Sequence, residues 1–304
     1  MTTLTAPPKL CIYSEDSRAS TLNFLNFIDH HVILQNSDLT VDLSMVKDAT
    51  AAASVLLFAI VNRAQFFAKN SKVIRFIWPK KDSNSEGHRW IVATGLSKAL
   101  VARDIGKLEV LTKEGQYFQS SVQPYEHLIA TVAMLQKSAV LNEPQLDLLT
   151  TAISEAMLNV LHHAYEDDDF NDQLQILKGK RWWQCAWFDE NTNAVVFIIC
   201  DLGLGICKSY ENGKVINSLD QPKLVFEALS LGNSRYRGSG RGNGSEDIKR
   251  PIGAGCAESE TLLVFTGHTR YIYNSFDDVP SCEYVKEYIP GTLVEWSLVP
   301  RRDT

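Results

Sequence analysis

Residues 154–165 read SEAMLNVLHHAY, and a glutamate and an asparagine stand four positions apart in this apolar-periodic run. Because an α-helix turns once in about 3.6 residues, Glu155 and Asn159 are expected on one face of a helix. By the same helical phase, His162 shares that face and His163 lies at its edge. Apolar residues flank these side chains, so the helix is expected to be largely buried, where polar groups need partners. The pattern therefore predicts a chemically active face on a core helix.

A second motif follows an apolar run. Val195–Cys200 has the composition of a buried strand, and it ends at Asp201, which two glycines, Gly203 and Gly205, follow closely. A carboxylate in this place can accept a hydrogen bond from the amino group of adenine, where guanine carries an oxygen instead. Glycine permits positive φ and lets the backbone come close to a ligand. The segment predicts a tight turn at the end of a buried strand, with the carboxylate of Asp201 at its start.

A third motif is rich in glycine and in positive charge. Residues 234–250 carry five basic and two acidic side chains, a local charge of +3, and are expected to form a polar loop. Successive backbone N–H groups in such a loop can surround phosphate oxygens. The candidate phosphate-binding residues are Gly240, Arg241, Gly242 and Gly244.

In this order the three motifs resemble the ATP site of the GHKL superfamily, which has the Bergerat fold and includes gyrase-type ATPases, Hsp90, histidine kinases and MutL. The 154–165 stretch is most similar to the motif of anti-sigma-factor serine kinases. The resemblance implies bound ATP and Mg²⁺, with Glu155 as catalytic base, Asn159 as magnesium ligand, Asp201 as the reader of adenine and His163 as the histidine of the motif. Residues 290–296 resemble the last strand of that fold, where Thr292 would reach the adenine-reading aspartate. The glycine loop departs from the family pattern at Asn243 and after it.

Two domains are expected, residues 1–120 and residues 121–304. The first alternates strand and helix patterns, which predicts a small α/β sandwich. Its strands are expected at 10–13, 39–43 and 72–78, and its helices at 17–31, 49–69 and 90–103. Residues 41–50, VDLSMVKDAT, resemble the middle of a STAS domain, a protein-docking module. Thr50 and Ser54 are interpreted as helix-cap or packing residues rather than as phosphorylation sites.

The second domain is expected to be an α+β two-layer sandwich of the Bergerat type. Asn142, Glu143 and Pro144 combine three signals for the start of a helix. The expected helices cover 127–140, 142–165 and 222–231, and the expected strands cover 182–188, 194–200, 262–265, 271–273 and 292–298.

Composition restricts the classes of function. The chain has 304 residues and a net charge of −6, which argues against general binding to nucleic acid or to anionic membranes. Six scattered cysteines without a C-x-x-C pair predict neither a zinc site nor a disulfide framework. No signal peptide is expected from the first residues, and the longest apolar run, Ala49–Val61, is too short to span a bilayer. The expected location is the cytoplasm.

Several functions stay open at this point. Magnesium, a carboxylate and ATP serve hydrolysis as well as phosphoryl transfer to a serine or threonine of a protein partner. A regulatory switch that binds ATP without appreciable turnover is the main alternative. A histidine kinase proper would need a phosphoacceptor histidine, and His127 lacks the usual surroundings. A gyrase or MutL relative would need a transducer domain. The expected partners are ATP and a regulatory protein, and a homodimer is left open.

Overall fold

A computed structural model describes residues 2–68, 72–138, 141–189, 193–211, 214–230, 244–277 and 279–300. These residues form two units by their contacts. The first contains residues 1–121, 172–179 and 183–185, and the second contains residues 122–171, 180–182 and 186–304. In the described part, no helix is both long enough and apolar enough to cross a membrane.

The first unit begins with elements that alternate between strand and helix. They are β1 (Thr2–Thr5), β2 (Lys9–Leu10), α1 (Glu15–Asp29), β3 (Leu39–Asp42), β4 (Asp48–Ala49), α2 (Ala51–Phe67) and β5 (Ile74–Ile77). Short helices and one strand follow: α3 (Ser85–His88), α4 (Leu96–Leu100), α5 (Ile105–Lys113) and β6 (Phe118–Ser121). Single π-helical turns extend α1 over His30–Leu34 and α3 over Arg89–Ala93.

Parallel pairing organises this unit. The sheet order is β1-β3-β5, and both pairs are parallel, so helices α1 and α2 serve as the crossover connections that parallel strands need. The apolar side chains Leu22, Leu25 and Ile28 of α1 are buried. Thr50 caps α2, since its Oγ1 accepts the N–H of Ala53, and Ser54 is buried. The cap interpretation of Thr50 is confirmed.

A buried amide ties a later part of the chain into the first unit. The side chain of Asn62, on α2, donates to the carbonyl oxygen of Ala102 at 2.9 Å. Its Oδ1 accepts a 2.9 Å hydrogen bond from Nε1 of Trp183, and both Asn62 and Trp183 are fully buried. Each end of the amide is therefore satisfied, as burial of a polar group requires.

The second unit holds most of the remaining elements. They are α6 (Pro124–Ser138), α7 (Glu143–Asn159), α8 (Asn171–Ile176), β7 (Trp182–Asp189), β8 (Ala194–Cys200), α9 (Gly205–Tyr210), α10 (Gln221–Ala228), α11 (Gly244–Lys249), β9 (Ala257–Asn274) and β10 (Ser281–Pro300). The residues of α8 from Asp172 onward, and Trp183–Cys185 of β7, belong to the first unit. Strands β8, β10 and β9 are neighbours in one sheet, in that order, and β10 runs antiparallel to both of the others.

Strand β10 contains a wide irregularity, which we call the β10 bulge and define as residues 285–291. Tyr284 pairs with Thr269 and Thr292 pairs with Thr266, so nine residues of β10 face four residues of β9. Gly291, at the end of the bulge, has a φ of +65°. Bulges bend a strand and redirect its side chains. This bulge ends where β10 meets the start of the Asp201 turn.

The structure corrects several sequence-based boundaries. The predicted helix 90–103 is interrupted at Gly95, whose φ of 84° is not helical. The predicted strands 262–265 and 271–273 form a single strand, β9, because four residues between them also pair with β10: Thr266, Gly267, Thr269 and Arg270. Part of the predicted loop 234–250 forms the helix α11.

Candidate functional site

Helix α7 carries the first predicted motif, and its start follows the signals in the sequence. The Asn142 side chain accepts the N–H of Gln145, and the Gln145 side chain accepts the N–H of Asn142, which completes a capping box. Leu149, Ile153 and Met157 are buried on its core side. Glu155 and Asn159 are half-buried on the last two turns.

The helix ends in a π-helical turn, Val160–Ala164, directly after Asn159. A π turn contains more residues than an α turn, so side chains beyond it no longer follow the α-helical phase. His162 is exposed, and Nδ1 of half-buried His163 lies 3.9 Å from a carboxylate oxygen of Glu166. Because of this turn, α-helical periodicity no longer predicts that His162 lies on the same face as Glu155.

The second motif leaves the sheet as a tight turn that starts with a buried carboxyl. Asp201 follows β8 and is 5% exposed. Its Oδ1 accepts a 2.8 Å hydrogen bond from the N–H of Gly203, and its own N–H donates to the carbonyl oxygen of Thr292 at 3.0 Å. Burial raises the pKa of this carboxyl to about 7, against the opposing effect of hydrogen bonds from the backbone N–H groups of Gly203 and Thr292.

Two contacts fasten this turn to the end of the α7 segment. The N–H of Leu204 donates to the carbonyl oxygen of Ala164 at 2.7 Å. The N–H of Leu202 donates to the Tyr165 hydroxyl at 3.2 Å, and that hydroxyl donates to the carbonyl oxygen of Arg181 at 2.7 Å. The structure thus brings the first two predicted motifs together. Tyr165 ends the quoted motif, but its type and position in the sequence predict no role for it.

The glycines of the turn are required by close packing. A Cβ atom on Gly203 would lie 2.0 Å from the carbonyl oxygen of Ala164. Gly205 has a φ of +77°, and a Cβ atom there would lie 2.8 Å from Oγ1 of Thr266. Neither position can hold a side chain without displacing its neighbours. Both glycines therefore have a structural reason that is independent of a ligand.

Thr266 is a site residue that sequence reasoning missed. Its buried hydroxyl donates to the carbonyl oxygen of Gly291 at 2.9 Å and accepts the N–H of Ile206 at 3.0 Å. It therefore links the last strands of the sheet to the start of α9. Thr292, the predicted residue, is half-buried and meets Asp201 through its backbone. A lone threonine within an apolar strand gives little signal in the sequence.

The third motif is described only in part. Gly240, Arg241 and Gly242 lie outside the described residues, and Gly244 begins α11. Helix α11 is attached to the sheet, because Nε1 of buried Trp296 donates to the carbonyl oxygen of Ile248 at 2.9 Å. Glu260 holds the segment after it, since its carboxylate accepts the N–H groups of Gly253 and Ala257.

Helix α11 also packs against α7 and brings a second carboxylate towards Glu155. Burial, and then the nearby charge of Asp247, raise the pKa of the Glu155 carboxyl above its ordinary value. Asp247 itself pairs with Nε of Arg250 at 2.9 Å. The sequence predicted a net positive charge for residues 234–250, whereas the residue of this segment that raises the pKa of Glu155 is the acidic Asp247.

The described side chains suit Mg²⁺ in the role that it has in nucleotide sites, where the protein supplies few of its ligands. Among the described residues, no group of three or more histidine, cysteine, aspartate or glutamate side chains is arranged to hold a metal ion. Mg²⁺ in nucleotide sites keeps several waters and takes one or two protein oxygens besides the phosphates. The half-buried amide of Asn159 is suited to that smaller role. Comparison of the chain with protein-family models, with curated proteins and with solved structures finds no match.

Proposed function

We propose that the second unit binds Mg-ATP in the manner of the GHKL superfamily and uses it for ATP hydrolysis or for phosphoryl transfer to a serine or threonine of a protein partner. One observation carries the proposal. The turn that starts at Asp201 is hydrogen-bonded to the end of the segment that carries Glu155 and Asn159. The carboxyl suited to bind a nucleobase, Asp201, and the two side chains suited to phosphate chemistry, Glu155 and Asn159, therefore belong to segments that are hydrogen-bonded to each other.

Base recognition is assigned to Asp201. The amino group of adenine would donate to this buried carboxyl, beside the hydrogen bond that its Oδ1 accepts from the N–H of Gly203. Above pH 7, where this carboxyl is ionised, a buried acceptor discriminates strongly against a base that offers an oxygen, since two acceptors would then face each other without a proton. The selectivity expected from this arrangement is for adenine over guanine.

Phosphate chemistry is assigned to α7. The bound magnesium ion would neutralise phosphate charge, and Asn159 is the side chain that would hold it. Glu155 would accept a proton from the attacking water or hydroxyl. Its raised pKa supports this role, because a general base is most effective when its pKa is close to the working pH. The predicted lid residues Gly240–Gly244 would cover the phosphates.

The first unit is proposed to dock a regulatory protein, as its resemblance to STAS domains implies. A cytoplasmic location is part of the proposal, because ATP and Mg²⁺ are both plentiful there.

Equilibrium binding tests the proposal directly. Isothermal titration of the whole chain with ATP and Mg²⁺ is expected to show binding, with GTP binding at least tenfold more weakly. Equal affinity for the two nucleotides would remove the assignment of Asp201. Absence of ATP binding would overturn the proposed function. Labelled ATP, incubated with the chain and a cell lysate, then shows whether phosphate moves to water or to protein, and binding without either would favour the switch.

A further inference from the structure

Three aromatic side chains form a cluster beside the β10 bulge. The ring of His268 stacks on Tyr284, with centroids 5.8 Å apart and planes at 18°. The same ring meets Tyr288 edge-on, with centroids 5.5 Å apart. Nδ1 of His268 donates to the carbonyl oxygen of Val285 at 3.1 Å. The histidine thereby packs against Tyr288, which lies within the bulge.

Contacts connect this cluster to the Asp201 turn. The N–H of His268 donates to Oε1 of Gln221 at 2.8 Å. The carbonyl oxygen of Gln221 accepts the thiol of Cys207 at 3.7 Å, and Cys207 lies on α9, the helix that starts at the end of the turn. The bulge that holds Tyr288 ends at Gly291, which packs against the backbone of Asp201.

The electrostatic environment of Tyr288 agrees with this placement. Burial raises the pKa of its phenol, and the Cys207 thiol and the Asp201 carboxyl raise it further. The phenol therefore lies within electrostatic range of the group to which adenine recognition is assigned. Tyr288 is still 44% exposed, so part of its ring is open to a ligand.

We propose that Tyr288 forms an aromatic wall of the nucleotide pocket and contacts the purine ring while Asp201 reads its edge. The inference rests on the proposed function. Aromatic side chains contribute to nucleotide affinity by contact with the face or edge of the base, and this contribution does not depend on which base is present. His268 is a positioning residue, because it holds the ring of Tyr288 without reaching the base itself.

The test compares variants at Tyr288 with a matched variant at Tyr284. Tyr284 has nearly the same exposure, 43%, and contacts the same histidine, but it lies in the paired part of β10. Affinities for ATP and for tripolyphosphate, both with Mg²⁺, are measured by titration calorimetry. Tyr288→Ala is expected to weaken ATP binding about tenfold or more and to leave tripolyphosphate binding unchanged. Tyr288→Phe and Tyr284→Ala are expected to bind ATP like the unaltered chain.

Each other outcome has a definite meaning. If the unaltered chain binds ATP and Tyr288→Ala binds it equally well, the wall is absent while the proposed function stands. Equal losses for ATP and tripolyphosphate would show damage to the fold rather than a lost base contact, and would overturn the inference. If Tyr288→Phe bound ATP as weakly as Tyr288→Ala, the contact with ATP would be made by the hydroxyl and not by the ring, and the aromatic wall would be overturned. No ATP binding by the unaltered chain would overturn the proposed function itself.

Discussion

Gly291 and Asp201 approach each other so closely that a Cβ atom on Gly291 would lie 2.1 Å from the Asp201 carbonyl oxygen and 2.9 Å from its Oδ1. The φ of Gly291 is +65°, which an L-residue adopts at a cost. Replacement by alanine must therefore move the backbone of the turn that carries the carboxyl. We expect Gly291→Ala to lower the free energy of unfolding by about 2–4 kcal/mol, measured by chemical denaturation, and to weaken ATP binding.

Gly115 supplies the matched control for that variant. Its φ is +61°, and a Cβ atom there would meet nothing within 4 Å. Gly115→Ala is expected to cost about 1 kcal/mol, which is the cost of the backbone conformation alone. Equal losses in the two variants would mean that the close approach to Asp201 has no energetic weight.

The raised pKa of Asp201 predicts a specific dependence of stability on pH. The carboxyl has a pKa of about 7 in the folded chain, against an ordinary value of 3.8. Between these values the folded chain keeps a proton that the unfolded chain releases, so stability falls as pH rises from about 4 to 7 and then levels off. The total loss is of the order of 4 kcal/mol. Asp201→Asn, which retains an acceptor for Gly203, removes this contribution.

The measurement compares urea denaturation of the two proteins from pH 5 to pH 8. The difference in unfolding free energy between Asp201→Asn and the unaltered chain should shift by about 3 kcal/mol in favour of the variant over this range. Two parallel curves would mean that the carboxyl titrates near its ordinary pKa and is better hydrated than its burial implies.

Glu155 is predicted to serve turnover rather than binding. Glu155→Gln keeps the size and hydrogen-bonding capacity of the side chain but removes its ability to accept a proton. We expect ATP turnover to fall about 100-fold to 10,000-fold, with ATP affinity changed by less than about threefold. Phosphate release and calorimetry measure the two quantities.

Glu143, exposed in the first turn of the same helix, gives the control. Glu143→Gln should retain both turnover and affinity. Unchanged turnover in Glu155→Gln would exclude this glutamate as the base. Tight ATP binding by the unaltered chain, with no turnover to lose, would identify a switch.

Substitution of threonine by valine is expected to have opposite effects on stability at Thr266 and at Thr269. Thr266 donates one hydrogen bond and accepts another, so Thr266→Val leaves the N–H of Ile206 without its acceptor and should cost about 1–3 kcal/mol. Thr269 is also buried, but its hydroxyl has no hydrogen-bond partner among the described residues. Thr269→Val should be neutral or stabilising by up to about 1 kcal/mol. Thermal denaturation of both variants would reveal the contrast, and equal changes would contradict it.

Trp296 is expected to control the attachment of α11. Trp296→Phe removes the donor to Ile248 and should lower stability by about 1–2 kcal/mol, with faster amide exchange in Gly244–Lys249. Trp183 makes an equivalent buried bond to Asn62 in the first unit. Trp183→Phe should cost a similar amount without changing exchange in α11. Accelerated exchange of α11 in both variants would indicate general loosening instead.

Much of the secondary structure could be predicted from local patterns. The three start signals at Asn142–Pro144 mark the beginning of α7, and the predicted run Val195–Cys200 lies wholly within β8. These features depend on neighbours within a few residues, which a sequence displays directly. Helix α11 was missed because its attachment depends on Trp296, almost fifty residues later in the chain.

The sequence indicates the polar residues of the candidate site but not the tertiary contacts that join them to the rest of the unit. Glu155, Asn159 and Asp201 stand out because polar groups are rare in apolar surroundings. Thr266 and Asp247 take part through tertiary contacts, and each resembles an ordinary strand or surface residue in the sequence. The π turn after Asn159 also escaped prediction, because one extra residue per turn leaves no compositional trace.

The Asn62–Trp183 bond has a practical consequence for anyone who dissects this chain. A fragment that stops after Ser121 would lose two later stretches of the same unit, residues 172–179 and 183–185, and with the second of them the indole that donates to the Asn62 amide. Such a truncated piece should expose apolar surface and precipitate. Genetic separation of the halves therefore requires grafting a distant segment rather than a single cut.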